Sequence, residues 1–219
     1  LPPGYQAPSG RLSPSPPGHP FAPSRDEDID YQSKLLGTAR VQMVMLMQTS
    51  ASLFADDYDD VVSRRMSAAA NGVPATTSAD AVGRGLRALG VKRIALVSPY
   101  SVEASARAKR YFSRRHGLEV VVVEGFAATD AYAIGNLGPE MARDAFVRVD
   151  RPEIDAFVVP GANFPTMASI SEWEREFKKP VVTSTQAALW AMARQLGGAP
   201  LKGYGRLLSS CQACDLLFG

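Results

Sequence analysis

The chain is nearly without cysteine. Of its 219 residues only Cys211 and Cys214 carry thiols, and both lie in the last nine positions. A disulfide framework is excluded, and a reducing cytoplasm is the default compartment. Histidine is as scarce, with His19 in a proline-rich stretch and His116 beside Gly117. Neither is placed to serve a serine nucleophile, and no G-x-S-x-G turn exists, so a triad hydrolase is not expected. No segment approaches the ~18 consecutive apolar residues of a membrane span, and nothing resembles a secretory signal. A net charge of +2 is too small to call for nucleic acid or an anionic membrane. Glu103, Glu124 and Asp130 have no spacing that marks a metal site, and no metal is expected.

What the chain does have is a core. Apolar residues make up 46%, enough for one larger domain or two small lobes. Residues 1–25 stand apart, because eight of the sixteen prolines fall there. Proline fixes φ and removes a backbone donor, so neither a helix nor a central strand is expected. The stretch reads either as a disordered leader or as an ordered loop over a cleft. From Asp26 onward strands and helices alternate. Strands are expected at 41–47, 93–98, 118–124, 156–160 and 180–184, and helices at 56–70, 78–89, 101–115, 139–148, 169–178 and 186–196. Such alternation implies parallel sheet covered by helices. A weak echo links Pro74-Ala75-Thr76-Thr77-Ser78 to Pro180-Val181-Val182-Thr183-Ser184. It suggests an α/β protein of two pseudo-twofold-related lobes, each a parallel sheet flanked by helices. The first lobe is expected to be 1–90 plus 185–219, and the second 91–184.

Three motifs attract attention and lose it. Gly83-Arg84-Gly85-Leu86-Arg87-Ala88 spells a dinucleotide fingerprint, but it sits inside a helical stretch instead of after a strand. Arg107, Lys109, Arg110, Arg114 and Arg115 form a basic run, in which Arg107, Arg110 and Arg114 share the solvated face of an amphipathic helix. Cys211-Gln212-Ala213-Cys214 lacks the second ligand pair that zinc needs.

The strand ends are more informative. Met43-Val44-Met45-Leu46-Met47 runs into Gln48-Thr49-Ser50, and Phe157-Val158-Val159 runs into Pro160-Gly161-Ala162-Asn163. Ser98-Pro99-Tyr100 and Thr183-Ser184-Thr185 end two further strands. Parallel α/β sheets bind ligands at the carboxyl ends of their strands. Hydroxyls and free backbone N–H groups gathered there suit a carboxylate. Thr185 or Ser184 is read as a cap of the helix that follows. Thr49 and Ser50 are read as functional, since the next helix signal begins several residues later.

These blocks resemble the aspartate/glutamate racemase superfamily, nearest its arylmalonate decarboxylase and maleate cis-trans isomerase branch. The resemblance covers about residues 38–210. It rests on Met47-Gln48-Thr49-Ser50-Ala51-Ser52-Leu53-Phe54, on Thr76-Thr77-Ser78 with Gly85-Leu86-Arg87-Ala88-Leu89-Gly90-Val91-Lys92-Arg93, on Asp155-Ala156-Phe157-Val158-Val159 and on Gly203-Tyr204-Gly205-Arg206-Leu207. It implies a two-lobed α/β fold with the active site between lobes, no cofactor, a small carboxylate or dicarboxylate as substrate, and allows a homodimer. It also implies carbanion or enediolate chemistry, with Thr49, Ser50 and Tyr100 as donors to the substrate carboxylate. Backbone N–H groups near Gln48 and Ala162 would complete that hole, with Gly161 lining it and Gln48 and Asn163 orienting the substrate. Pro3, in Pro2-Pro3-Gly4, matches the proline turn after the family's first strand.

The departures are as specific as the match. The resemblance places one thiol in each lobe of a racemase or isomerase, and only the second-lobe thiol in the decarboxylase. Here Gln48 and Gly161 stand at those two positions. An amide is no general base near neutral pH, and glycine has no side chain. Two-thiol racemisation is not expected. The first strand and part of the next helix are also missing or shortened before residue 38, and the loss of that strand would leave an open sheet edge. The expected function is a cofactor-free lyase or isomerase of decarboxylase type. Two alternatives stay open: a hydrolase in which Gln48 positions water, and an inactive carboxylate-binding protein.

Overall fold

The computed structural model describes residues 5–13 and 22–210. Pro3, His19, Cys211 and Cys214 lie outside the described residues, so the proline turn and the CxxC are not placed. The chain runs α1 (Asp26–Thr38), β1 (Val44–Leu46), a 3-10 turn (Ala51–Leu53), α2 (Tyr58–Ala69), β2 (Ala75–Thr77), α3 (Ser78–Ala88), β3 (Arg93–Ser98) and α4 (Val102–His116). It continues β4 (Glu119–Gly125), α5 (Ala131–Gly135), α6 (Pro139–Val149), β5 (Ala156–Val159), α7 (Ile170–Phe177), β6 (Val181–Thr183), α8 (Ser184–Gln195) and α9 (Gly205–Ser209). Two parallel sheets result: β1 pairs with β2, and a four-stranded sheet has the order β4-β3-β5-β6. The outer edge of β1 has no strand neighbour among the described residues.

Apolar side chains fall on both faces of the larger sheet because each central strand is continuously apolar. Every residue of Ile94–Ser98 and of Ala156–Val159 is buried. Phe146 and Phe177 pack on Phe157 of β5 and on each other, and Trp173 packs on Phe146, with three of the four ring pairs edge to face and Phe146–Phe157 tilted. A second, smaller core joins Ile29, Val44, Leu46, Val62 and Met66, with Leu12 from the described part of the proline-rich stretch.

The structure corrects several expectations at the level of elements. The strand expected at 41–47 is ordered as strand only over Val44–Leu46. Helix α1 and strand β2 were not expected as elements. In α1 the buried stripe is Ile29, Ser33 and Gly37, two of them small or polar, so the apolar periodicity is faint. Gly37 is needed there because a Cβ would come within 2.9 Å of Ala70 Cα on the neighbouring α2. Strand β2 has three residues, two of them threonine. The cap of α8 is neither Ser184 nor Thr185: Thr183, still paired with Val159 in the sheet, accepts the Gln186 N–H at 3.4 Å. Gln186 returns the bond to Thr183 N–H, closing a capping box.

The dinucleotide-like letters prove to be packing. Gly83 and Gly85 are both buried within α3. A Cβ on Gly83 would lie 2.2 Å from the His116 ring, and one on Gly85 would lie 2.9 Å from Leu207 Cδ2. The basic run on α4 is also less solvated than its spacing suggests. Arg115, 23% exposed, pairs with Asp59, Asp60 and Asp80. Arg107 pairs with Glu103 and lies 4.6 Å over the Phe54 ring. These contacts tie α4 to the 3-10 turn, α2 and α3.

Candidate active site

Four strand-end turns meet around one hydroxyl. Thr49 follows β1, is 3% exposed, and donates to Ser184 Oγ at 3.0 Å. Its Oγ1 is 2.8 Å from Ser78 Oγ. A hydroxyl has one hydrogen, so Ser78 is the donor in the second contact. Ser78 opens α3 and Ser184 opens α8, and both are fully buried. Each follows a threonine N-cap: Thr77 accepts Asp80 N–H at 3.1 Å, as Thr183 accepts Gln186 N–H. The echo between Thr76-Thr77-Ser78 and Val182-Thr183-Ser184 is therefore structural. Two equivalent strand-to-helix turns point a serine at Thr49. Ser184 Oγ also accepts the Gly161 N–H at 3.0 Å, which draws the β5 turn into the same cluster.

The remaining expected residues line the same cleft of about 1360 Å³, together with Met45, Leu189 and Met192. Ser50 is 8% exposed and hydrogen-bonds to none of the described residues through its hydroxyl. Tyr100 is 2% exposed. Burial pushes its phenol well above the ordinary tyrosine range, while a hydrogen bond with Thr49 acts the other way. The phenol is thus a neutral donor at pH 7. Its backbone is held from below: Tyr100 N–H donates to Ser98 Oγ at 3.3 Å, and Ser105 Oγ donates to Ser98 Oγ at 2.8 Å.

Gly161 has φ +98°, a conformation side chains disfavour. A Cβ there would sit 2.9 Å from Pro99 Cγ and 3.6 Å from the Tyr100 hydroxyl. Ala162 O accepts from Thr185 Oγ1 at 3.2 Å. Asn163 Nδ2 donates to Ala131 O at 3.1 Å, so that amide is tied to the start of α5. Gln48 is tied more firmly: its Oε1 accepts Ser24 N–H at 3.0 Å and its Nε2 donates to Ala22 O at 2.9 Å. Of the two readings of residues 1–25, the described parts fit a loop over a cleft, since Tyr5–Leu12, Ala22 and Ser24 line it.

Other buried acids serve the frame. Asp59, 3% exposed, accepts from Thr77 Oγ1 at 2.8 Å and from the Tyr111 hydroxyl. Burial raises its carboxyl, and bonds from Ser52, Tyr111 and Thr77 oppose the rise. Glu174 accepts Val181 N–H at 3.0 Å and Arg206 N–H at 2.8 Å, fastening the chain end near Gly205 to β6. Among the described residues no group of three or more His, Cys, Asp or Glu could hold a metal. Nor is any described helix long and apolar enough to cross a membrane.

The sequence reading placed Thr49, Ser50, Tyr100, Gly161, Ala162 and Asn163 around one cleft, and the structure brings them there. It missed Ser78 and Ser184 as members of the cluster and Ser98 and Ser105 as supports. The signal for the first pair was the threonine-serine echo. For the second pair there was none, because Ser105 reaches Tyr100 only through the first turn of α4.

Comparison with known proteins places the chain in a family. A family model for arylmalonate decarboxylase matches residues 25–208. Arylmalonate decarboxylase of Bordetella bronchiseptica is 32% identical over 193 residues, covering 83% of this chain and 77% of that protein. Maleate isomerase of Nocardia farcinica is 30% identical over 134 residues, covering 60% of this chain and 53% of that one. Among solved structures, the maleate isomerase of Pseudomonas putida S16 with maleate superposes with a TM-score of 0.81 at 28% identity, covering 86% of this chain and 78% of that one. A crystal structure of arylmalonate decarboxylase gives 0.72 at 29% identity, covering 84% and 81%. With strand-end hydroxyls meeting as they do, and a match along nearly all of the described chain, this protein belongs to the arylmalonate decarboxylase family.

Proposed function

We propose that the chain decarboxylates small acids bearing two carboxylates on one carbon, without a cofactor. The observation that carries the reading is the convergence of Thr49, Ser50 and Tyr100 in a cleft that no thiol lines among the described residues. One carboxylate sits against these hydroxyls. The bond from the central carbon to the other carboxylate breaks, carbon dioxide leaves, and the electron pair spreads into the retained carboxylate as an enediolate. Neutral donors fixed in a low-dielectric cleft stabilise that charge as it forms, and losing one such donor costs about 2.7–4 kcal/mol in related chemistry. The substituent on the central carbon lies against Met45, Leu189 and Met192. The carbon takes its proton from water, and the hydroxide left behind combines with carbon dioxide as bicarbonate.

Decarboxylation is favoured because racemisation needs acid–base groups on both faces of one carbon, and thiol-type isomerisation needs a nucleophile that adds to the double bond. Gln48 and Gly161, on the two faces, cannot exchange protons near neutral pH. The cleft is read as lying between a lobe of 1–90 plus 185–219 and a lobe of 91–184.

The test is carbon dioxide release from a panel of methyl- and phenyl-substituted malonates in deuterated buffer, for the protein and for Ser50→Ala. The expected result is release matched by one deuterium on the product's central carbon, with turnover falling about 10²-fold or more in the variant. Folded protein that releases no carbon dioxide overturns the reading. So does a ligand-bound structure in which no carboxylate approaches Thr49 or Ser50.

A further inference from the structure

The side chain of Gln48 is the residue of the cleft with the most unexpected partners. It lies two residues past the end of β1 and precedes Thr49, so its backbone belongs to the turn that gathers the hydroxyls. Its side chain turns instead to the stretch before α1. Oε1 accepts the Ser24 N–H and Nε2 donates to Ala22 O, at 3.0 and 2.9 Å. The two bonds bracket Pro23, which has no N–H to offer and whose ring fixes φ. One amide thus matches one donor and one acceptor of a chain held rigid between them, a pairing a backbone strand would make.

The grip extends in both directions. Ser24 is 7% exposed, and its hydroxyl donates to Ser13 O at 3.3 Å, reaching the earlier described stretch whose Leu12 packs in the smaller core. On the other side Arg25 is the N-cap of α1, the helix that packs on α2. Ala22, Ser24, Gln48, Thr49, Ser50 and Tyr100 line one cleft. We infer that Gln48 is a positioning and specificity-determining residue: it clamps residues 22–24 as a wall of the cleft beside Thr49 and Ser50, and so limits the size of acid that enters.

The size limit rests on the carboxylate-binding reading proposed above; the clamp does not. Both are tested on full-length protein with Gln48→Ala and with Gln48→Glu, which keeps the shape and an acceptor but sets an oxygen against Ala22 O. Hydrogen exchange at the Ser24 amide reads the clamp without any substrate. Calorimetric binding of methylmalonate and phenylmalonate reads the size limit without turnover. The clamp predicts Ser24 exchange about tenfold or more faster in Gln48→Ala, with Gln48→Glu between it and the parent protein. The preference for methylmalonate over phenylmalonate should fall about fivefold or more in Gln48→Ala. Unchanged Ser24 exchange in a folded Gln48→Ala protein overturns the clamp. Faster exchange with an unchanged preference overturns the size limit. If the parent protein binds neither malonate, the size limit falls together with the carboxylate reading, while the exchange data still decide the clamp.

Discussion

At the scale of single residues, the site works by placing ordinary hydroxyls where they cannot relax into water. Thr49 links Ser78 and Ser184 in a buried chain of hydroxyls, and Ser184 also takes the Gly161 N–H. Gly161 illustrates how tightly the second-lobe position is built. Placing a thiol there is not a neutral change, because φ is +98° and a Cβ would press on Pro99 at 2.9 Å. Gly161→Cys should cost about 1–3 kcal/mol. In a chain of this length that lowers the melting midpoint by roughly 2–4 °C per kcal/mol, measurable by thermal denaturation. A melt equal to the parent's would show that the turn adapts to a side chain. Thr49 and Ser50 could be found from the sequence because small polar residues interrupt an apolar run. The role of Gln48 could not, since Ala22 and Ser24 lie more than twenty positions away and no local pattern links them.

At the scale of elements, close approach explains residues that local propensity does not. Glycine within a helix is unfavourable by about 1 kcal/mol relative to alanine. Gly83 in α3 nevertheless sits where His116, at the end of α4, leaves no room for a methyl group. Gly83→Ala should therefore destabilise by about 1–3 kcal/mol despite better helix propensity, as overpacked cores do. Chemical denaturation checks it, and a stabilised variant would mean the His116 ring swings aside. The elements most legible in the sequence are those with long apolar runs or strong end signals. β3 and β5 are continuous apolar runs, and α4 begins with Ser101 as N-cap and ends with Gly117 at φ +66°. Less legible are α1, whose buried stripe of Ile29, Ser33 and Gly37 holds one apolar side chain, and β2, two of whose three residues are threonine.

At the scale of the whole molecule, a buried polar network ties α2, β2, α3 and α4 together. Asp59, Tyr111, Arg115, Asp80 and His116 meet there. Burial lowers the His116 pKa to about 4, below its ordinary 6.5, with nearby Asp80 opposing the shift. The folded state therefore holds a neutral imidazole that the unfolded chain would protonate. Stability from this group is complete above pH 6.5 and is lost as pH falls toward 4, by about 3 kcal/mol in all. Asp59 and Glu174, whose carboxyls burial raises, act in the opposite sense at the acid end. Denaturant titrations from pH 7.5 to 4 should show stability falling between 6.5 and 4, with the slope flattened in His116→Gln. An equal slope in the variant would place the acid sensitivity elsewhere.

The sequence by itself determined the α/β class, the parallel strands and the polar turns at their carboxyl ends. Those features are local: apolar period, run length, caps and breakers act over a few residues. It also determined the absence of a thiol from both strand ends, which is a matter of composition alone. Only the tertiary structure decided which hydroxyls meet, because the Thr49–Ser184 bond joins residues 135 positions apart. It likewise decided that Gly83 and Gly85 are packing contacts, that Arg115 is an ion-pair hub, and that Gln48 holds the stretch before α1. Each of these depends on which surfaces come within a few ångströms, and burial and shape settle that across the whole chain.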